Sequence, residues 1–155
     1  FHNAENKTEQ IILFEEQILL AKELDLPVIV HDREAHADTL EILKKHKPKG
    51  VLHCFSGSAQ MASEIIKLGM YIGVGGVITF KNAKKLPDVV KIIPNELLLV
   101  ETDCPYLTPV PHRGKRNESS YVRFVCEKIA EIKGISPEEV ARVTTENARR
   151  MFLSK

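Results

Sequence analysis

The sequence predicts an α/β fold in which parallel strands alternate with single helices. Four short apolar runs are separated by stretches with helical periodicity, the alternation typical of βαβ units with right-handed crossovers. A complete (β/α)8 barrel takes about 250 residues, whereas the chain has 155. Half of a TIM-type barrel and a small open sheet both fit this length, and we expect residues 1–155 to form a single domain.

The first elements are a helix, a strand and a second helix. Asn6 and Glu9 have the spacing of a reciprocal helix cap. A helix is therefore expected over residues 7–24, with one buried apolar stripe consisting of Ile11, Phe14, Ile18 and Ala21. The β-branched run at 28–30 indicates a strand that is buried on both faces. A helix over residues 35–46 follows it.

The same alternation continues to the end of the chain. The predicted elements, in order, are a strand at 51–52, a helix capped by Ser58 or Ser56 and ending at Gly69, a strand at 70–74, a helix at 83–92 and a strand at 97–100. Two helices close the chain. The second is expected to begin at Ser136, because a serine cap followed by proline and two glutamates is typical of a helix start.

Composition argues against a generally nucleic-acid-binding protein and against a membrane-spanning one. Lys and Arg total 22 against 21 for Asp and Glu, so the net charge of +1 supplies no general attraction for nucleic acid. The apolar runs are too short to cross a bilayer, and Lys7, Glu9 and Gln10 interrupt the only stretch resembling a leader. Three cysteines without CxxC spacing indicate free thiols in a reducing compartment, so we expect a cytoplasmic protein.

Three polar side chains follow three of the predicted strands. His31, His53 and Asp103 come after the runs at 28–30, 51–52 and 97–100. Functional groups of parallel α/β folds gather at the carboxyl ends of strands, so these side chains are expected to converge. Two imidazoles and a carboxylate suit a divalent metal such as Zn, Mn or Mg. The alternative is that each histidine is a hydrogen-bonded core residue.

Other possible ligands have simpler interpretations. Cys54 and Cys104 each directly follow a candidate ligand and could join a zinc site. We favour the alternative that they are small buried residues on the opposite side of the strand, and that Cys126 lies in a helix core. His36 and His46 fall in a helical segment and are expected to be solvated.

Two further segments carry functional hypotheses. Gly73, Gly75 and Gly76 do not have the spacing of a dinucleotide loop, so we expect them to admit the close approach of a ligand or neighbouring backbone. Residues 112–117 concentrate positive charge around Arg113. A solvated loop and a phosphate clamp are both consistent with that pattern.

Segments 27–34, 52–57 and 101–107, together with Asn147 and Phe152, resemble the TatD-related deoxyribonuclease family in order and spacing. The resemblance implies a metal-dependent amidohydrolase-type TIM barrel that hydrolyses phosphodiester bonds in DNA with Mg, Mn or Zn ions. It implies that His31, His53 and Asp103 are metal ligands, with Asp103 also catalytic. Arg113 and Asn117 fall in the family's substrate-side loop.

Two family motifs have no counterpart in this sequence, an H-x-H pair and a Gly-Glu-x-Gly-Leu-Asp segment. The chain therefore looks like a carboxyl-terminal half, with strands five to eight. We expect little activity from it alone, and self-association or pairing with a missing amino-terminal half through exposed strand edges. The alternatives are a non-catalytic half-barrel that acts as an interaction module, and a hydrolase of another ester or amide.

Overall fold

A computed structural model describes residues 6–153 and contains one four-stranded parallel sheet. Its strands are β1 (Val28–His31), β2 (Gly50–His53), β3 (Tyr71–Val74) and β4 (Leu98–Val100). They lie side by side in chain order, and each pairs in parallel with the next. The predicted α/β fold of parallel βα units is confirmed, and the open sheet with its strands in chain order is consistent with part of a TIM-type barrel.

Six α-helices accompany the strands in the described part of the chain: α1 (Lys7–Glu23), α2 (His36–His46), α3 (Ala59–Lys67), α4 (Leu86–Ile92), α5 (Val122–Lys133) and α6 (Pro137–Phe152). Each corresponds to a predicted helix, with ends that differ by a few residues. Three short 3-10 helices, at Gly76–Thr79, Asn95–Leu97 and Ser119–Tyr121, were not predicted. A single 3-10 turn has too few residues to produce a hydrophobic period.

The helix caps test the sequence rules directly. The hydroxyl of Ser58 accepts the amide of Met61 at 3.2 Å, and that of Ser136 accepts the amide of Glu139 at 3.1 Å. Both predicted caps are therefore confirmed. The predicted Asn6 cap is wrong, because its side chain makes no capping bond and its backbone is not in the extended conformation usual at that position.

The hydrophobic core lies between the sheet and the helices that cover its outer face. Leu43, Leu52, Ile65, Ile72 and Ile129 are among its fully buried members. Burying apolar side chains of this size contributes roughly 1.5–3 kcal/mol each. This core fixes the strands in register, so the side chains at their carboxyl ends have set positions.

The edge strand β1 and helix α1 are only partly covered. Ile29 is 65% exposed, so the prediction that this strand is buried on both faces is wrong. Of the predicted α1 stripe, Ile18 is buried while Ile11 and Phe14 pack partly against the core. Other apolar side chains nearby are exposed: Ile12, Leu13, Leu19, Leu20, Leu24 and Leu26. No helix in residues 6–153 is long and apolar enough to span a membrane.

Candidate active site

Two histidines meet at the carboxyl ends of the first two strands. His31 and His53 are the last residues of β1 and β2 and are paired in the sheet register. The Nδ1 atom of His31 lies 2.9 Å from the Nε2 atom of His53, and the ring centroids are 5.1 Å apart. Their convergence was predicted from the sequence. It follows from parallel pairing, which brings the same end of neighbouring strands to the same edge.

Glu101 is a third residue of this site, and the sequence analysis did not identify it. It directly follows β4, and its Oε1 atom accepts the backbone amide of Cys54 at 2.6 Å. The same oxygen lies 3.5 Å from Nδ1 of His53. Burial raises the pKa of the Glu101 carboxyl, the charge of Asp103 raises it further, and His53 opposes the shift. His53 thus lies between His31 on one ring nitrogen and a carboxylate on the other.

Two glycines make room for Glu101. A Cβ atom added at Gly73 would lie 2.9 Å from Oε2 of Glu101, and one at Gly75 would meet its Cγ atom at 3.6 Å. A Cβ atom at Gly76 would lie only 2.3 Å from the carbonyl oxygen of Leu107. The expectation of a close approach is therefore confirmed at Gly73, next to Glu101, and at Gly76, next to the loop after β4, whereas Gly75 has only an ordinary contact with Glu101.

Asp103 lies in the loop beyond β4, at the same end of the sheet as the histidines. It is exposed, its φ angle is 54°, and its carbonyl accepts the amide of Tyr106 at 3.0 Å. Its carboxylate is near enough to raise the pKa of Glu101 and of Cys54. Within residues 6–153, however, no three His, Cys, Asp or Glu side chains are grouped closely enough to hold a metal ion.

The cysteines differ from one another in exposure. Cys54 is half-buried, and burial together with the charges of Glu101 and Asp103 raises its pKa to about 11. Its thiol is therefore protonated at neutral pH. Cys104 is exposed, which corrects the expectation that it is a small buried residue, because the loop it occupies extends beyond the sheet. Cys126 is buried in α5 as predicted.

Arg113 is anchored within its own loop. Its Nη1 atom donates to the carbonyl of Thr108 at 3.0 Å, and its guanidinium carbon lies 4.0 Å from the centroid of the Phe80 ring. A hydrogen bond and a cation–π contact together hold a planar cation in one place. Arg113 is thus exposed but fixed. Its contact with a substrate phosphate stays a prediction.

Asn117 is only 3% exposed, and its side-chain amide is engaged by backbone. Its Nδ2 atom donates to the carbonyls of Thr102 at 2.7 Å and Tyr106 at 2.6 Å, while its Oδ1 accepts the amide of Glu118 at 2.9 Å. These bonds brace the turn that carries Asp103. Direct substrate contact by Asn117 stays a prediction, and the geometry gives it a bracing role.

The two histidines of α2 have partners. His36 is partly exposed, and its Nδ1 atom lies 2.7 Å from a carboxylate oxygen of the buried Asp32. The side chain of His46 is only 11% exposed, and its Nε2 atom lies 3.2 Å from a carboxylate oxygen of Glu15. The expectation that His46 is solvated is wrong, because α1 packs over the end of α2.

Comparison with known proteins is consistent with this geometry. The family model described as TatD related DNase matches residues 1–153. An uncharacterized metal-dependent hydrolase of Bacillus subtilis, YabD, is 55% identical over 143 residues, which are 90% of this chain and 56% of YabD. An uncharacterized metal-dependent hydrolase of Escherichia coli K12, YcfH, is 47% identical over 155 residues, covering 98% of this chain and 58% of YcfH.

Solved structures give the same result. The crystal structure of YjjV, a TatD homologue from Escherichia coli K12, matches with a TM-score of 0.90 and 35% identity over 100% of this chain and 61% of that one. A TatD family hydrolase from Entamoeba histolytica matches with a TM-score of 0.81 and 26% identity, covering 100% of this chain and 59% of that one. The chain therefore spans less than two thirds of the length of these proteins.

Proposed function

Because the chain belongs to the TatD-related DNase family, we propose that it supplies the carboxyl-terminal half of a metal-dependent hydrolase that cleaves phosphodiester bonds in DNA. The observation that carries the proposal is the contact between His31 and His53 at the carboxyl edge of the sheet, with Glu101 behind His53. Imidazoles held this way are typical of metal ligands whose second nitrogen is oriented by a carboxylate.

The chemistry of the donors, two imidazoles and a carboxylate, suits a divalent ion with mixed nitrogen and oxygen ligands, although Asp103 is not grouped with the histidines closely enough to complete a site in the described residues. His31 and His53 would hold the ion, and Asp103, in the loop after β4, would contribute an oxygen. When bound, a divalent ion acidifies water and balances the charge that develops on a phosphate. Zn suits imidazole, whereas Mn and Mg prefer oxygen, so the identity of the metal depends on which further ligands join.

The remaining residues of the site orient the candidate metal ligands or offer a contact to the substrate. Glu101 holds the ring of His53, and Asn117 braces the turn that carries Asp103. Arg113 offers a planar donor group to a phosphate oxygen, and its contacts with Thr108 and Phe80 fix where that group lies. Substrate would therefore be held from the loop side and hydrolysed at the histidine side.

A second half of the barrel would complete the ligand set. In residues 6–153 the outer edge of β1 has no strand partner and the side chain of Ile29 is exposed, so this side of the sheet offers backbone groups and apolar surface to another strand. We propose that an amino-terminal half, or in its absence a second copy, covers this edge. This edge is the reason to expect the isolated chain to associate, and the absence of the two family motifs is the reason to expect it to hydrolyse DNA poorly.

Complementation tests the proposed activity. The chain is mixed with the amino-terminal half of YcfH and assayed with Mn2+ on a labelled oligonucleotide, and the His53→Ala variant is the control. We expect hydrolysis from the mixture, little from the chain alone and none from the control. Robust hydrolysis by the chain alone would contradict the half-barrel account. An inactive mixture that nevertheless forms a stable complex with bound Mn2+ would contradict the DNase assignment.

Arg113 tests the phosphate contact in the same active mixture. A lost charge-assisted hydrogen bond of about 1.5–3 kcal/mol corresponds to a loss of roughly 10- to 150-fold in kcat/KM for Arg113→Ala. Arg113→Lys, which keeps the charge but not the planar fork, should recover part of the loss. Metal affinity should stay unchanged in both variants. Equal kcat/KM in the parent and Arg113→Ala would rule out the contact.

A further inference from the structure

We propose that a cavity at the amino ends of the strands binds a small phosphorylated molecule of the size of a mononucleotide. The cavity lies at the opposite edge of the sheet from His31 and His53, because the residues that begin β2 and β3, Gly50 and Tyr71, line it. Its volume is about 300 Å3, at the lower end of the range for small-molecule sites. This site is separate from the proposed hydrolase activity and does not depend on it.

The charge of the lining is positive. Three cations line the cavity: Lys47, Lys49 and Arg150. Asp25 is the one carboxylate among the lining residues, and its Oδ1 atom lies 2.5 Å from the amine of Lys49. Lys47 makes no ion pair within residues 6–153, and Arg150 uses one nitrogen, Nη2, on Oδ1 of Asn147 at 3.3 Å. An anion in the cavity therefore meets one free amine and a partly unused guanidinium.

Capping of helix carbonyls is the usual role of cations at this end of a βα unit, and α2 ends beside the cavity. The last carbonyls of α2 already have other donors. The carbonyl of His46 accepts the amine of Lys22 at 2.8 Å. The carbonyl of Leu43 accepts the backbone amide of Lys47 at 2.8 Å. No hydrogen bond within residues 6–153 joins the side chain of Lys47 or Arg150 to a helix carbonyl, so both charges remain available to a ligand.

The backbone at Lys47 is a second observation that favours a ligand. Its φ and ψ angles are 46° and 57°, the left-handed conformation that glycine or asparagine usually adopts after a helix. A side chain at this position is sterically less favourable than glycine. The chain thus keeps a cation on the cavity wall where glycine would suit the backbone better, and residues held in this way concentrate at functional sites.

The rest of the lining suits the organic part of such a ligand. Tyr71 is half-buried and is the only aromatic residue among those that line the cavity. The lining also includes apolar side chains: Pro27, Pro48, Leu68 and Met151. A base can pack against an aromatic and apolar wall while the cations hold a phosphate. A mononucleotide combines these two features in one small molecule.

The experiment titrates the 155-residue chain with deoxyadenosine monophosphate (dAMP), inorganic phosphate and deoxyadenosine. EDTA is present, so the candidate metal centre and its hydrolysis do not contribute to the binding that is measured. The variants are Lys47→Gly and Asp25→Gly, a matched pair because both residues line the cavity with positive φ angles, 46° and 50°, but carry opposite charges. Glycine suits both backbones, so both variants should fold. Arg113→Ala is the control for binding at the cationic loop.

We expect dAMP to bind more tightly than inorganic phosphate, and deoxyadenosine not to bind. Lys47→Gly should bind dAMP about three- to fivefold more weakly, the effect of losing one exposed ion pair, while its free energy of unfolding does not fall. Asp25→Gly should bind dAMP at least as tightly as the parent, and Arg113→Ala should bind it like the parent.

Three outcomes would overturn the proposal. They are a parent chain that does not bind dAMP, an equal affinity of Lys47→Gly and the parent, and a loss of affinity confined to Arg113→Ala, which would place dAMP at the cationic loop. Equal binding of dAMP and inorganic phosphate would overturn the role of the apolar wall. Each of these results leaves the hydrolase proposal in place, because complementation with Mn2+ tests that proposal separately.

Discussion

Glu101 and Gly73 face each other across neighbouring strands, so that a Cβ atom on the glycine would lie 2.9 Å from the carboxylate oxygen Oε2. The glycine leaves the volume that the glutamate needs beneath the histidine pair. The half-buried carboxylate then accepts the backbone amide of Cys54 and lies 3.5 Å from the ring of His53. The position of His53 thus depends on Glu101 and on the space that Gly73 leaves for it.

The first prediction concerns Glu101. Glu101→Gln removes the negative charge opposite Nδ1 of His53 but keeps the size of the side chain. Removing an outer-shell carboxylate typically lowers metal affinity by about 10- to 100-fold, and we expect a loss in that range for Mn2+. Isothermal titration of the complemented protein measures it. Glu118→Gln, an exposed carboxylate in the same region, is the control, and equal affinities for the two variants would contradict the role of Glu101.

The second prediction compares two adjacent glycines. Gly76→Ala places a methyl group 2.3 Å from the carbonyl oxygen of Leu107, so the loop after β4 must shift, at a cost of about 1–3 kcal/mol in the free energy of unfolding. Gly75→Ala meets Glu101 only at ordinary contact distances of 3.6–3.7 Å and is the matched control. Urea unfolding of both variants measures the difference. Equal free energies of unfolding for Gly76→Ala and Gly75→Ala would show that the loop after β4 shifts without a cost in stability.

The third prediction compares two buried asparagines that bond in the same way. Asn117 donates to the carbonyls of Thr102 and Tyr106, and Asn147 donates to those of Asn95 and Leu98. Replacing either with alanine removes the donor from two backbone carbonyls and the hydrogen bonds of a buried amide, which costs about 1–3 kcal/mol of unfolding free energy.

Only Asn117→Ala loosens the turn that carries Asp103, so only that variant should lose metal affinity in the complemented protein. Asn147→Ala, with a matched loss of stability, should keep the parent's affinity for Mn2+. If both variants lost affinity for Mn2+ in proportion to their loss of stability, the bracing role of Asn117 would be contradicted.

The fourth prediction concerns pH. Hydrogen bonds from Lys44 and Lys67 lower the pKa of Glu64 from 4.5 to about 2, and the Lys44 bond joins α2 to α3. Because the pKa is lower in the folded protein than in the unfolded chain, the stabilisation is complete above about pH 4.5 and is lost as the pH falls toward about 2.

Urea unfolding at pH 6 and at pH 3 therefore separates the parent from Glu64→Gln. We expect the parent to have a higher free energy of unfolding than Glu64→Gln at pH 6. This difference should be smaller at pH 3 and in high salt. Asp88→Asn, which breaks the exposed pair with Lys91 inside α4, is the control and should show a smaller change. A difference in unfolding free energy between the parent and Glu64→Gln that does not depend on pH would contradict the stabilising role of the Glu64 charge.

The sequence predicted the elements well because each strand and helix is encoded locally. Short β-branched runs, serine caps and glycine stops act within a few residues, and the helices and strands are found close to where these signals lie. The convergence of His31 and His53 was also predictable, since parallel pairing brings the same ends together.

What the sequence did not predict depends on contacts between distant residues. Glu101 is one charged residue after a strand, and only the fold brings it against Cys54, 47 residues away. The burial of His46 likewise depends on how α1 lies over α2. Ile29 has the sequence of an interior strand residue, but its face has no cover in the described part of the chain.

The order of the strands has a consequence for how the sheet forms. Every strand pairs with the next one along the chain, and the paired residues, such as Val28 with Gly50 and Ile72 with Leu98, are about 20 to 26 residues apart. Each pairing therefore closes a loop of similar length, with no chain-spanning closure that must come first. The described sheet can therefore form one βα unit at a time.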